Sequence, residues 1–236
     1  MKRAVKILPS THACQYCCLN MLCQSPLSAH YYSFINQSID HYASLQKGEV
    51  LFEAEQPFEK LAVLRTGKMI ALGADMSKRD VVGFYLATEL IGLEGLARGY
   101  YPATVQALNT AVFCYLDYAS LLKELPQHPE IYQPWLDLIS RGFCQKERVH
   151  PHHSAEECLI TFLGELSRRF QQAGFSGQKF ELPMSQKDIA NYLGLTAETL
   201  SRLFSLFKAR MWLNLECKTI TLLPAFFKRF TGMTTE

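Results

Sequence analysis

The chain changes periodicity once, near Tyr118, and that change restricts it to a fold with two kinds of layer. From Ala43 to Tyr118, short runs such as Glu49-Val50-Leu51-Phe52, Leu61-Ala62-Val63-Leu64 and Met69-Ile70-Ala71-Leu72 are separated by Gly48, Gly67, Gly73, Gly83 and Gly92. Strands this short, punctuated by glycine, predict an antiparallel β-roll or small barrel. Beyond Tyr118 glycine thins out, and Tyr132, Leu136, Ile139 and Phe143 recur at spacings of 4, 3 and 4. Such a stripe predicts a helix that packs either on a partner or on the chain's own roll, and periodicity alone does not separate the two. Pro134 and Gly142 fall inside it and predict an irregular helix. Pro151 ends the segment. Ser154, with Glu157 three residues on, forms a capping box that starts the next helix after a hinge.

Near the C-terminus a second pattern carries chemistry. Ser185 caps a helix with Asp188 in its first turn; Ile189, Ala190 and Leu193 face a core, and Gly194 ends it. Thr196 caps the next helix after a short turn. There Leu200, Leu203, Phe204 and Phe207 form an apolar face, while Glu198, Ser201, Arg202 and Ser205 share the opposite one. A helix held by its apolar side can offer the other to a DNA major groove. Arginine pairs bidentately with guanine there, glutamate accepts from the cytosine amino group, and serine bonds either base type. A solvated helical hairpin satisfies the same spacing. Downstream, Leu215 to Leu222 reads as a hairpin carrying Lys218, a wing able to touch phosphate.

Charge agrees with this reading without dictating it. The 236-residue chain has a net charge of only +2, but from Ser185 to Glu236 seven Lys/Arg face four Asp/Glu. No apolar run approaches the roughly 18 residues that span a bilayer, and the start of the chain lacks a signal-peptide core, so a cytoplasmic protein without a membrane partner is expected. In a reducing compartment the eight cysteines call for an explanation other than disulfides. Cys14, Cys17 and Cys23 form C-x2-C-x5-C, a loop that can aim thiolates at one soft metal centre. Zinc, an iron–sulfur cluster and unliganded thiols all remain open on spacing alone.

Residues Ile189 to Arg202, Ile-Ala-Asn-Tyr-Leu-Gly-Leu-Thr-Ala-Glu-Thr-Leu-Ser-Arg, together with Leu166-Ser167-Arg168-Arg169-Phe170 and Gly174-Phe175-Ser176, closely resemble the DNA-binding signature of the CRP/FNR superfamily. Within it they are most similar to the FNR branch of anaerobic regulators, and the resemblance runs from Cys14 to about Leu222. It implies an α+β fold: a Cys-rich cluster-binding segment over 1–27, a jelly roll like that of cyclic-nucleotide-binding domains over 28–125, a dimerisation helix and hinge over 126–153, and a winged helix-turn-helix over 154–236. It further implies a homodimer on double-stranded DNA that engages RNA polymerase. Glu198, Ser201 and Arg202 would read the bases of a TTGAT-like half-site, with Thr196, Thr199 and Lys218 completing the DNA contacts. Cys114 would join Cys14, Cys17 and Cys23 as the fourth ligand of a [4Fe-4S] cluster, a ligand that shifts the population toward a DNA-competent dimer. Met211 and Cys217 occupy positions beside the wing that are usually glycine, so the turns there are expected to be rebuilt.

The roll itself argues against two other chemistries. A metal-cupin enzyme needs histidines on its strands, and none occurs between His41 and His128. Cyclic-nucleotide sites use Gly-Glu for the ribose and Arg-Ser or Arg-Thr for the phosphate. The corresponding residues here are Gly92-Leu93-Glu94-Gly95 and Tyr101-Pro102-Ala103-Thr104, so the anion would be buried without its arginine and no cyclic nucleotide is expected. His150, His152 and His153 read as hinge histidines. Two rival functions remain: a CRP-like regulator whose cysteines hold zinc or nothing, and a metal or redox protein whose helical region makes only protein contacts.

Overall fold

A computed structural model describes residues 39–75, 77–127, 129, 132–144 and 154–234. Cys14, Cys17 and Cys23, like the three hinge histidines, lie outside these described residues. The chain divides into two compact units, 1–146 and 147–236.

In the first unit the strands are β1 (Ile39–Leu45), β2 (Val50–Phe52), β3 (Lys60–Thr66), β4 (Met69–Leu72), β5 (Val81–Tyr85), β6 (Leu90–Ile91), β7 (Thr104–Ala107) and β8 (Ala111–Asp117). They form two antiparallel four-stranded sheets, ordered β1-β8-β3-β6 and β2-β7-β4-β5. Gly67 makes the β3–β4 turn with φ 97°; a Cβ there would lie 2.6 Å from the Thr110 carbonyl oxygen, so no other residue fits.

The unbroken run Leu61-Ala62-Val63-Leu64 has a simple cause: its sheet is covered on both faces. Ala62 and Leu64 join Met69, Val105 and Phe113 between the sheets, whereas Leu61, Val63, Cys114 and Leu116 point the other way, into a core shared with helices. Those helices are α1 (Leu93–Arg98), α2 (Tyr118–Glu124) and α3 (Tyr132–Cys144). Asp117 caps α2, its carboxylate accepting from the Ser120 backbone N–H at 2.8 Å, and its side-chain and backbone bonds to Ser120 hold its pKa below the usual carboxylate value.

Helix α3 runs unbroken through both residues expected to disturb it. Pro134 sits in the first turn, where its missing N–H had no intrahelical acceptor. Gly142 is buried, and a Cβ on it would lie 2.2 Å from Leu93 Cδ1, so glycine is what lets α3 close on α1. The stripe divides between two faces. Trp135, Leu138, Ile139 and Gly142 pack inward, while Tyr132, Leu136 and Phe143 are 42%, 57% and 44% exposed.

The second unit contains α4 (Ala155–Gln172), β9 (Lys179–Glu181), α5 (Gln186–Tyr192), α6 (Ala197–Ala209), β10 (Leu213–Glu216), β11 (Thr219–Leu222) and α7 (Pro224–Thr234). The expected capping box opens α4: Ser154 N–H donates to Glu157 Oε2 at 2.8 Å and Glu157 N–H to Ser154 Oγ at 3.3 Å. Leu159, Phe162, Leu163 and Leu166 bury the inner face of α4, and Gly164 admits the Phe230 ring of α7 against its backbone. The strands pair antiparallel in the order β10-β11-β9.

Candidate nucleic-acid interface

Helix α6, which carries the candidate readers, and α5 before it are fixed by local bonds at both ends of their shared turn. Ser185 Oγ accepts from Asp188 N–H at 3.1 Å and starts α5. At its end Leu195 N–H donates to the Ala190 carbonyl at 2.8 Å and Gly194 N–H to that of Asn191 at 3.0 Å, a Schellman closure with Gly194 at φ 68°. Two residues later Thr196 Oγ1 accepts from Thr199 N–H at 3.1 Å, and the two threonine hydroxyls lie 2.9 Å apart. Both threonines named from the sequence are therefore committed to holding the N-terminus of α6.

Helix α6 is two-faced as its spacing requires. Leu200, Phe204 and Phe207 are buried and Leu203 half-buried; Glu198, Ser201, Arg202 and Ser205 are exposed. Arg202 Nη2 donates to Glu198 Oε1 at 2.6 Å, with the side chains 79% and 73% exposed. At that exposure the pair contributes about 0.5 kcal/mol or less to the fold, so both groups can be recruited by a ligand at small cost. Ser205 Oγ donates to the Ser201 carbonyl at 3.1 Å.

Lys218 occupies the tip of the hairpin. Glu216 pairs with Thr219, leaving Cys217 and Lys218 as the turn, with φ positive at Cys217 (53°) and not at Lys218. Positive φ at the first position alone is the type II′ pattern, a place for glycine. Met211, at φ 56°, closes α6: its N–H donates to the Lys208 carbonyl at 3.0 Å and Trp212 N–H to that of Phe207 at 2.9 Å. The expectation that these turns are rebuilt is thus corrected. The left-handed geometry is kept, and non-glycine residues bear its cost because the flanking hydrogen bonds and strand pairing fix the backbone. Met211 is 64% exposed, so its side chain returns little packing. Replacing it with glycine is expected to raise unfolding stability by about 1 kcal/mol, read as an increased denaturant midpoint with DNA affinity unchanged.

Two interactions were not foreseen from spacing. Arg210 donates to Glu156 Oε1 at 2.6 Å and lies over the Trp212 ring, 4.9 Å from its centroid, so this cation ties α4 to the base of the wing. In the roll, Cys114 is 1% exposed on β8, in the same cluster as Leu93, Leu121 and Trp135, with its Sγ 3.9 Å from the Val63 carbonyl oxygen. Among the described residues no three His, Cys, Asp or Glu side chains could hold a metal ion together. Any four-ligand thiolate-bound centre that includes Cys114 therefore draws at least two of its ligands from outside them. No helix of the described residues is long and apolar enough to cross a membrane.

Comparison with known proteins agrees with these two units. Residues 159–224 match the Crp-like helix-turn-helix domain, and residues 42–128 match the cyclic nucleotide-binding domain. The chain is 33% identical over 226 residues to the transcriptional activator protein anr of Pseudomonas aeruginosa, covering 94% of this chain and 92% of that one. It is 33% identical over 214 residues to the fumarate and nitrate reduction regulatory protein of Escherichia coli K12, covering 89% and 86%. The solved structure of FixK2 from Bradyrhizobium japonicum aligns over 81% of this chain and 95% of its own, with TM-score 0.67 and 24% identity. That of a CooA mutant from Carboxydothermus hydrogenoformans aligns over 97% and 98%, with TM-score 0.68 and 15% identity. The first two of these relatives are a transcriptional activator and a regulatory protein, not enzymes, which with the helix-turn-helix match sets aside both a catalytic role for the roll and a helical region limited to protein contacts. The chain belongs to the CRP/FNR superfamily of DNA-binding transcription regulators, in its FNR branch.

Proposed function

We propose that this regulator binds palindromic TTGAT-like sites as a homodimer in the cytoplasm, contacts RNA polymerase from that position, and is controlled by oxygen through a [4Fe-4S] cluster on Cys14, Cys17, Cys23 and Cys114. The observation that carries the DNA part is the exposed row Glu198, Ser201, Arg202 on a helix whose other face is anchored by the buried Leu200, Phe204 and Phe207. Thr196 and Thr199 set the height of that helix, and Lys218 meets phosphate from the hairpin tip. Pairing rests on Tyr132, Leu136 and Phe143, three large apolar side chains that α3 leaves in water once its inner face is packed. Two copies present two α6 helices, which suit successive major grooves about 34 Å apart.

Cys114 supports the cluster by its chemistry and its place. A buried thiol on the face of the sheet that packs against α3 is a fourth soft donor beside the element that carries the exposed stripe. When bound, the cluster supplies an oxygen-sensitive link between thiolates far apart in sequence. The chain's own contribution is to keep Cys114 out of water, in an apolar shell that includes Leu93 and Trp135. The reading is tested by fluorescence anisotropy of the anaerobically purified protein on a duplex with two inverted TTGAT half-sites. Binding that survives non-specific competitor and is lost when the half-sites are scrambled supports it; equal affinity for both duplexes contradicts it.

A further inference from the structure

In the roll, Tyr101 opens the stretch Tyr101-Pro102-Ala103-Thr104, which stands in place of the Arg-Ser or Arg-Thr of cyclic-nucleotide sites. Its ring stacks on Phe52, centroids 4.0 Å apart and 8° from parallel, and meets Phe58 edge-on at 5.6 Å. The hydroxyl donates to the Lys60 carbonyl at 2.7 Å and accepts from Lys60 N–H at 3.1 Å. Tyr101 is 3% exposed, and burial raises its pKa above the ordinary phenol value, so the ring stays neutral.

This stack is the floor on which α1 rests. A Cβ on Gly92, which caps α1 at φ 97°, would lie 3.3 Å from Tyr101 Cε1; one on Gly95 would lie 2.4 Å from Phe58 Cδ2. Two glycines one turn apart thus let the α1 backbone settle directly on the two rings. Leu93, between them, is fully buried and reaches Gly142 of α3 from the other side. Each step is a contact with no slack, and the last element in the series is the helix that carries the exposed apolar stripe.

We propose that Tyr101 is a positioning residue: its hydrogen-bonded ring fixes α1, and through the Leu93–Gly142 contact sets the register of α3, so that the roll braces its pairing helix internally. The pairing step rests on the α3 dimer proposed above; the bracing does not. Hydrogen exchange followed by mass spectrometry on the full chain separates them. Tyr101→Phe keeps the stack and removes only the hydroxyl bonds. It is expected to lower amide protection in 93–99 and 132–144 while leaving β4 and β5 unchanged, and to weaken dimerisation about fivefold in sedimentation equilibrium, as the modest net worth of the buried hydroxyl bonds to Lys60 implies. Gly142→Ala disturbs the same series from its far end and is expected to lower protection in α1 as well as α3. Unchanged protection in α3 for Tyr101→Phe, a uniform loss across the unit, or a Gly142→Ala effect confined to α3 would each overturn the bracing. An unchanged dimer constant with altered α3 exchange would overturn its extension to pairing. A wild-type chain that is monomeric contradicts the dimer instead, with the exchange pattern still deciding the bracing.

Discussion

Arg202→Ala is expected to reduce affinity for the palindromic duplex by about 5- to 150-fold per half-site, equivalent to about 1–3 kcal/mol, and to relax discrimination at the base that it reads. The fold should not notice. Arg202 is 79% exposed and its ion-pair partner, Glu198, is nearly as exposed, so thermal unfolding of the variant should superimpose on that of the wild type. The contrast with Lys218→Ala makes the result specific. A lysine at the hairpin tip neutralises phosphate without reading sequence, so its loss should weaken specific and scrambled duplexes alike and lower the salt slope by about one per half-site. Were Arg202→Ala to behave like Lys218→Ala, α6 would lie on the DNA backbone rather than in the groove.

Cys114→Ala is expected to abolish the cluster and, with it, specific DNA binding, at little cost to the roll. The thiol is buried among apolar side chains, so alanine loses one sulfur atom of packing, about 1 kcal/mol, and the variant should remain folded. Its visible absorbance after anaerobic reconstitution should be absent. A Cys114→Ala protein that keeps the full visible band, iron content and DNA affinity would remove Cys114 from the ligand set and leave it as a core residue.

Legibility followed the range of the forces involved. Ser154, Ser185 and Thr196 cap helices where expected because a cap is decided by bonds within three residues. Gly67 and Gly194 could likewise be read as turns from local geometry. What escaped depends on partners far along the chain. The stripe at Tyr132, Leu136, Ile139 and Phe143 was equally consistent with packing on the roll or on a second copy; in the structure Ile139 turns inward beside Trp135, and the other three stay outside. Gly142 reads as a helix defect until Leu93 is seen to need its space. Helix α1 is capped by Gly92 and carries Gly95 inside its first turn, a pair that becomes intelligible only over the rings of Tyr101 and Phe58. Met211 and Cys217 look incompatible with left-handed turns on propensity, yet hairpin pairing and the helix-closing bonds hold them there.

The base-reading face was the most legible part of the candidate site, because an amphipathic helix displays its polar residues at fixed intervals whatever surrounds it. The thiolate site was the least. Its spacing at Cys14, Cys17 and Cys23 names a metal centre without naming the metal, and Cys114 is joined to it by resemblance alone.

The central claim, that a cluster on these cysteines permits DNA binding, is tested most directly by one titration. Protein purified without oxygen is mixed with labelled palindromic duplex, and visible absorbance and anisotropy are recorded together as air is admitted. A broad visible band that bleaches in step with release of the duplex is the predicted result. A colourless protein that contains zinc, or a bleached protein that still holds the duplex with undiminished affinity, would contradict it.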